Sequence, residues 1–534
     1  MRRFSSYGSV DKDIHYYAPR KELLSRAFTQ LVGDDYLKGG HYITVWAPRQ
    51  TGKTWVMQQI LFQVQKDPRF DVLKINLETY KSFKNASDVI KNIAQDIGEG
   101  LGKKFRGIKD EKKFLEIFRN DVLEKPLILI LDEFDALPEI GISAIVSAFR
   151  NIYFSRMDEI GKNTDQKTYL LHGVALIGVR SVLGIENEKG SPFNVQRSLH
   201  IPDLTFQEVA EMFKWYEKES GQRVEPEVVE ALYKETNGQP GLTCWFGEIL
   251  TEGCEFYKND TSRPIGINDF ENIYQLAMAV LPNNNILNII SKARMEPYRE
   301  KVINLFKTEK PVKFAFDDRN INFLYMNGVI DPESVPGDGV YVKFASPFVQ
   351  KRLFNFFSND IFKEMGELLE PFYNVKEFYF PDRLDIEVML EHYQAYLDEN
   401  KGWLFKDAPR RSDMRVYEAV FHFNLYAYFD ELLRGRKARV YPEFPTGNGK
   451  IDILIKYNQV MYGIELKSFK DRTGNREALE QTAQYGRKLG LKEIYLVSFI
   501  ESIDEANKKK YETLYQDAST EVMVKPVIIQ TGRV

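Results

Sequence analysis

Short apolar runs alternate with helically spaced stretches through residues 40–200. Ile43–Trp46, Val72–Leu77, Leu127–Leu131 and Gly173–Val179 are rich in β-branched and large aliphatic residues and too short for buried helices, so they predict strands. Between the first two, Val56, Ile60, Leu61 and Val64 recur every three to four positions, which predicts a helix over 53–65. Strand alternating with helix predicts an α/β fold, a parallel sheet covered by helices. A second such region begins near Tyr417. Val420, Phe421, Leu425, Phe429 and Leu432 form one broad apolar face and predict a helix over 417–433. A loop over Pro442–Gly449 leads to Lys450–Ile455, a turn at Tyr457–Gln459 and then Val460–Lys467, which together predict a β-hairpin. A helix over 477–486 and a strand at Ile494–Phe499 follow.

The intervening chain is less distinctive. Val302, Ile303, Leu305 and Phe306 suggest one helix, Ile321, Phe323 and Leu324 another, and Val340–Phe344 a strand after a Pro-Gly-Asp-Gly turn. That pattern suits a winged helix and other small α+β modules equally. Ser358–Arg415 is charged, helical in spacing, and reads as a connector or a helical insert. The expected organisation is an N-terminal segment at 1–40 packing on the site that follows, an α/β core at 41–205, helices at 206–295, a winged-helix-like module at 296–357, a helical connector at 358–414 and a second α/β domain at 415–534.

Composition narrows the setting. A chain of 534 residues exceeds one ordinary core, and 43% hydrophobic residues is usual for a globular protein. A net charge of −4 advertises no nucleic acid globally, so any such contact must come from a local surface. Cys244 and Cys254 are spaced for adjacent turns of one helix and read as reduced thiols. The N-terminal charges lack a following apolar run, and no apolar stretch is long enough to span a bilayer. The expectation is a cytoplasmic protein with no membrane partner.

Two sets of residues carry chemistry. Ala47-Pro48-Arg49-Gln50-Thr51-Gly52-Lys53-Thr54 lies between a predicted strand and a predicted helix, the context in which a glycine-containing loop wraps phosphates. Pro48 to Trp55 form the expected nucleotide-contacting segment: backbone N–H groups for phosphate oxygens, Lys53 for the β- and γ-phosphates, and the Thr54 hydroxyl for Mg²⁺. Ala47 stands where this motif usually has its first glycine. The apolar run Leu127–Leu131 ends in Asp132 and Glu133, at the strand end where α/β sheets place chemistry. Asp132 is expected to hold Mg²⁺ and Glu133 to polarise the attacking water. Arg180, ending the next strand, is placed to face a γ-phosphate. ATP and Mg²⁺ are the implied cofactors.

The second set is Asp452, Glu465 and Lys467. Glu465 and Lys467 are two apart on a strand and project from one face, and a hairpin brings Asp452 close to Glu465. Two carboxylates with phosphate oxygens suit Mg²⁺ or Mn²⁺, and a lysine beside them suits phosphodiester cleavage. A cross-strand salt-bridge ladder uses the same residue types. On the following helix Gln481 and Tyr485 are four apart, on one face.

The segments HYYAPRKEL, YITVWAPRQTGKT, ILILDEFDAL, ALIGVRSVL, SPFNVQRSLHIPDLTFQEV and TNGQPGLT resemble, in this order, the AAA-like P-loop ATPases of the STAND and archaeal-ATPase group. The resemblance covers roughly residues 10–260. It implies that Arg20 belongs to a segment lying against the nucleotide, that Arg180 is a γ-phosphate sensor, and that Gly238-Gln239-Pro240 is the lid's contact with the nucleotide, through Pro240. Ala18 and Ala47 depart from the group, where glycine is expected. Residues 415–505 resemble the PD-(D/E)xK nuclease superfamily, a restriction-endonuclease-like fold. This implies Asp452, Glu465 and Lys467 as the catalytic set, Gln481 and Tyr485 as an accessory pair, and Glu418 as an added acid on the preceding helix. The combined expectation is an oligomeric ATPase coupled to metal-dependent cutting of nucleic acid, DNA first. By analogy alone this fits defence or mobile-element biology. The alternative is a nucleotide-switched scaffold whose C-terminal domain binds nucleic acid or another partner without cutting.

Overall fold

The computed structural model describes residues 1–8, 10–178, 197–307, 312–337, 339–363, 377–404, 418–433, 436–445, 450–468 and 472–532. The chain forms two compact units. One comprises Met1–Lys292, Ala315–Pro332 and Lys343–Phe348; the other comprises Ala293–Phe314, Glu333–Val342 and Val349–Val534.

The first unit is built on five parallel strands, β1 (Tyr42–Trp46), β2 (Asp71–Asn76), β3 (Leu127–Asp132), β4 (Leu171–Gly178) and β5 (Arg197–His200), in the order β2-β3-β4-β1-β5. Helices α1 (Lys21–Val32) and α2 (Lys53–Val64) cover one face. Helices α3 (Ala86–Leu101), α4 (Glu111–Glu116) and α5 (Glu139–Asp158) cover the other. Strand β3 explains its own apolar run. Leu127, Leu129 and Leu131 join Ile93, Phe114 and Phe149 on one side, while Ile128 and Ile130 join Val56, Ile60 and Leu31 on the other. Alternating side chains with both faces covered demand an unbroken apolar sequence.

A helical group follows: α6 (Phe206–Ser220), α7 (Pro226–Thr236), α8 (Pro240–Glu252) and α9 (Ile267–Ala279). Thr205 and Glu208 close a reciprocal cap on α6. Gly253, at φ 85°, ends α8, so Cys254 lies beyond the helix that holds Cys244 rather than on its next turn; both thiols are free. Next come α10 (Asn284–Ala293), α11 (Tyr298–Lys307), α12 (Arg319–Met326), the hairpin β6 (Ile330–Val335) and β7 (Gly339–Phe344), and α13 (Pro347–Lys363). Residues 296–357 do not make one compact module. Tyr325 packs edge-on against Trp46, and Phe348 against Phe246, which draws those segments into the first unit.

In the second unit, α14 (Ile386–Leu404) and α15 (Glu418–Leu432) accompany strands β8 (Ala438–Pro445), β9 (Lys450–Tyr457), β10 (Val460–Ser468), β11 (Glu493–Ile500), β12 (Tyr515–Gln516) and β13 (Met523–Gln530), with α16 (Arg472–Lys488) and α17 (Glu505–Tyr511). The sheet order is β12-β13-β11-β10-β9-β8. Its middle pairs, β10–β11 and β11–β13, are parallel, while β8–β9, β9–β10 and β12–β13 are antiparallel. The expected loop at Pro442 is instead part of β8 as far as Pro445. The strand is the sheet's edge, where a proline needs no ladder donor. Helix α14 packs as a layer of this unit, as a helical insert would. Gln394 exchanges two hydrogen bonds with Gln530, and Tyr393 meets Phe499 edge-on. Phe421 of α15 stacks on the same Phe499 at 4.5 Å. On the opposite face, Gly486 of α16 lies against Ile494 and Val522. No helix among the described residues is long and apolar enough to cross a membrane.

Candidate functional site

The first site forms at the C-terminal ends of β1 and β3. Ala47 is fully buried in the core beside α2, which explains why a small residue serves at this position of the motif. Gln50 (φ 58°) and Gly52 (φ 88°) turn the loop through left-handed backbone, and Gly52 then caps α2. The Thr51 hydroxyl donates to Pro48 O at 2.9 Å. Lys53 folds back, its Nζ donating to Ala47 O (2.9 Å) and Pro48 O (2.8 Å). Burial pulls its ammonium down to about 8, against the opposing pull of Glu133, Asp135 and Asp132. A phosphate beside it would supply the missing charge.

Asp132 is buried, and each of its oxygens is engaged. Oδ1 lies 3.4 Å from Thr54 Oγ1 and accepts from Glu133 N at 3.1 Å; Oδ2 lies 3.1 Å from Lys74 Nζ. A hydroxyl and a carboxylate meeting in this way fit Mg²⁺, which takes a few hard oxygens and keeps phosphate and water for the rest. Glu133 follows in left-handed backbone, φ 55° and ψ 41°, an unfavourable conformation for a non-glycine residue. Burial first, then Asp135 and Asp132, pushes its carboxyl above the ordinary range. Such a group readily accepts a proton from water. Arg180 lies outside the described residues; strand β4 is described to Gly178, where a β-carbon would sit 2.8 Å from Asp135 Oδ1.

Helix α8 approaches the loop end-on. Gln239 Nε2 donates to Arg49 O (3.0 Å), and Gly241 N donates to Gln50 O (3.0 Å), with Pro240 between them at the first helical position. A side chain at Gly241 would press on Gln50, whose Cβ would lie 2.6 Å from the added β-carbon. Arg20 is engaged by the chain that leads into α6. Its Nη2 donates to Pro202 O (2.7 Å) and Asp203 O (3.2 Å), and its Nε lies 3.5 Å from Glu208, tying the segment to the start of α6. Trp55 meets Tyr17 edge-on at 5.6 Å, and Tyr17 meets Trp215 in the same way. Lys74 escaped the sequence reading; the available signal was a lone cation flanked by Leu73 and Ile75 in the strand.

The second site lies on the face of the C-terminal sheet that α16 covers. Ile453 pairs with Ile464 across β9 and β10, and continuing that register one step sets Asp452 opposite Glu465. Glu465 is buried, and Lys467 Nζ donates to its Oε1 at 2.9 Å. Asp452 Oδ2 accepts from Leu466 N at 2.7 Å. From α16, Gln481 Nε2 donates to Tyr485 Oη at 2.8 Å. Burial, and next the Glu465 carboxylate, raises the Tyr485 phenol above its usual value. Two carboxylates on neighbouring strands, Asp452 and Glu465, are hard-oxygen donors of the type that fits Mg²⁺ or Mn²⁺. His422, which the sequence reading passed over, sits on α15 with Nε2 2.9 Å from Asp452 O; a carbonyl only accepts, so the ring donates. Glu418 opens α15, and its side chain lies outside the described residues.

Residues 5–246 match the family model described as AAA-like domain. No curated protein matches the sequence. Among solved structures, the chain is similar to a Walker-type ATPase of Pyrococcus abyssi at 15% identity, covering 66% of this chain and 99% of that one with a TM-score of 0.42. It is also similar to Cdc6p from Pyrobaculum aerophilum (14% identity, 67% and 97% covered, TM-score 0.37). A third is the Holliday junction branch migration motor RuvB of Thermotoga maritima (14% identity, 64% and 96% covered, TM-score 0.34).

Proposed function

We propose that this chain is an ATP-hydrolysing AAA-like ATPase coupled to a metal-dependent nuclease, acting on nucleic acid and on DNA first. The observation that carries the nuclease half is the grouping on adjacent strands of Asp452, bonded through its carboxylate to Leu466 N, and Glu465, bonded to Lys467, with Gln481 and Tyr485 paired on α16.

At the ATP site, backbone N–H groups of Gln50 to Lys53 receive phosphate oxygens. The Lys53 ammonium leaves the carbonyls of Ala47 and Pro48 for the β- and γ-phosphates. Thr54 and Asp132 would hold magnesium, which would supply positive charge against the phosphates. Glu133 orients the attacking water and takes its proton. Arg180 reads the γ-phosphate. Gln239 and Gly241 carry the state of the loop into α8. At the second site, Asp452 and Glu465 would hold the metal, which would supply Lewis-acid charge to the scissile phosphate. Lys467 orients water and offsets charge in the transition state, and Tyr485 with Gln481 positions the strand. The protein acts as a homo-oligomer.

The scaffold alternative draws on the same contacts. Lys467 neutralises Glu465 and Leu466 N satisfies Asp452, so the set is also a stable ladder with no metal. Incubating the full chain with labelled DNA and RNA, single- and double-stranded, with Mg²⁺ or Mn²⁺ and with or without ATP, separates the readings. Cleavage lost in Asp452→Asn supports the nuclease. Binding without cleavage under every condition assigns the scaffold.

A further inference from the structure

Strand β2 carries one cation, Lys74, paired in register with Ile130 of the central strand. Its side chain reaches the C-terminal end of the sheet, where Nζ lies 3.1 Å from Asp132 Oδ2 and 3.5 Å from Gln58 Oε1, with only 18% of the side chain exposed. Gln58 is one turn beyond Thr54 on the same face of α2. The two oxygens of Asp132 are therefore divided. Oδ1 looks toward Thr54 and the loop, and Oδ2 is held by an ammonium. Neither the phosphate loop nor the acid motif calls for a lysine here.

We propose that Lys74 is the resident counter-cation of Asp132: a positioning residue that aims Oδ1 at the metal position and sets how much divalent cation nucleotide binding requires. This rests on the ATP reading of the site. A carboxylate already neutralised by a neighbouring ammonium attracts a second cation weakly, and a like charge beside the metal position opposes its entry. The site then holds no divalent ion by itself and admits one with the triphosphate, whose own charge draws it in.

The test titrates Mg²⁺ into the full chain with a fluorescent, non-hydrolysable ATP analogue, so the readout is binding and not turnover. Lys74→Gln keeps a hydrogen-bond donor and loses the charge; its Mg²⁺ midpoint should fall on the order of tenfold. Lys74→Arg keeps the charge and should stay near wild type. Gln58→Glu adds a carboxylate beside the ammonium and should lower the midpoint in the same direction, which keeps the proposal testable if Lys74→Gln does not fold. An unchanged or higher midpoint in Lys74→Gln, or in Gln58→Glu when the former does not fold, overturns it, as does Lys74→Arg shifting as Lys74→Gln does. If the wild type binds no analogue at any Mg²⁺ concentration, the ATP reading falls and takes this inference with it.

Discussion

The carboxylate of Asp452 accepts a hydrogen bond from the backbone amide of Leu466 at 2.7 Å, so the acid's side chain takes the place of a ladder partner between β9 and β10. This bond orients the carboxylate beside Glu465. Asp452 therefore serves the fold as well as the proposed chemistry, which governs how it should be tested.

Asp452→Asn keeps an acceptor for Leu466 N and removes the charge. Cleavage in Mg²⁺ should fall by ~10² or more as a metal ligand is weakened, with little change in melting temperature. Asp452→Ala also deletes the hydrogen bond and should destabilise the C-terminal domain by ~1–3 kcal/mol. Parallel cleavage assays and melting curves distinguish the two. An Asn variant that cuts as wild type removes Asp452 from the metal.

At the other site, Glu133→Gln should preserve nucleotide binding and slow ATP hydrolysis by ~10² or more, the usual loss for a water-activating base. Lys53→Ala should lose binding itself, because it removes the ammonium that leaves Ala47 and Pro48 for phosphate. Equilibrium binding measured beside phosphate release checks both. Wild-type turnover in Glu133→Gln would reassign the base.

Gly241→Ala pushes a methyl into Gln50, with 2.4 Å to Oε1 and 2.6 Å to Cβ. Relieving the clash moves either α8 or the loop, and overpacking of this kind costs ~1–3 kcal/mol. Nucleotide affinity should drop while DNA cleavage without ATP is unchanged. Equal affinity in Gly241→Ala and wild type would show that α8 does not constrain the loop.

His172 is buried in a directed chain: Arg156 Nη2 donates to Thr164 Oγ1, the Thr164 hydroxyl donates to His172 Nδ1, and His172 Nε2 donates to Val32 O. Burial, with Arg156 and Lys167 nearby, lowers the ring's pKa to about 3. The unfolded chain binds the proton near 6.5 and the folded chain does not. Stability from this group is therefore complete above about 6.5 and is lost as pH falls toward 3, by up to ~1.4 kcal/mol per unit. Urea unfolding from pH 7 to 5 should show a shallower pH dependence in His172→Gln than in wild type. Identical slopes would place the titration elsewhere.

Periodicity made much of the first unit legible. The strands at residues 43, 72, 127 and 173 and the helix over 53–65 announce themselves because each is a local run whose spacing reflects what covers it. In the second unit the hairpin through Asp452 and Glu465 was equally plain, since a strand's two-residue period puts Glu465 and Lys467 on one side. Pro442 read as a loop because propriety of a proline in a strand depends on whether that strand is an edge, and the sheet order decides that. Residues 296–357 read as one module because amphipathic spacing identifies a face and not the surface it meets.

The sequence by itself determined the strand and helix runs and which loop could hold phosphate, since those follow from spacing along a few neighbouring residues. Tertiary structure alone decided the partnerships: Lys74 with Asp132, Gln239 with Arg49, Gly241 with Gln50, His422 with Asp452. Each joins residues remote along the chain, and their proximity depends on which strands lie side by side and where each helix end is docked. Those are outcomes of packing the whole core, so no local pattern records them.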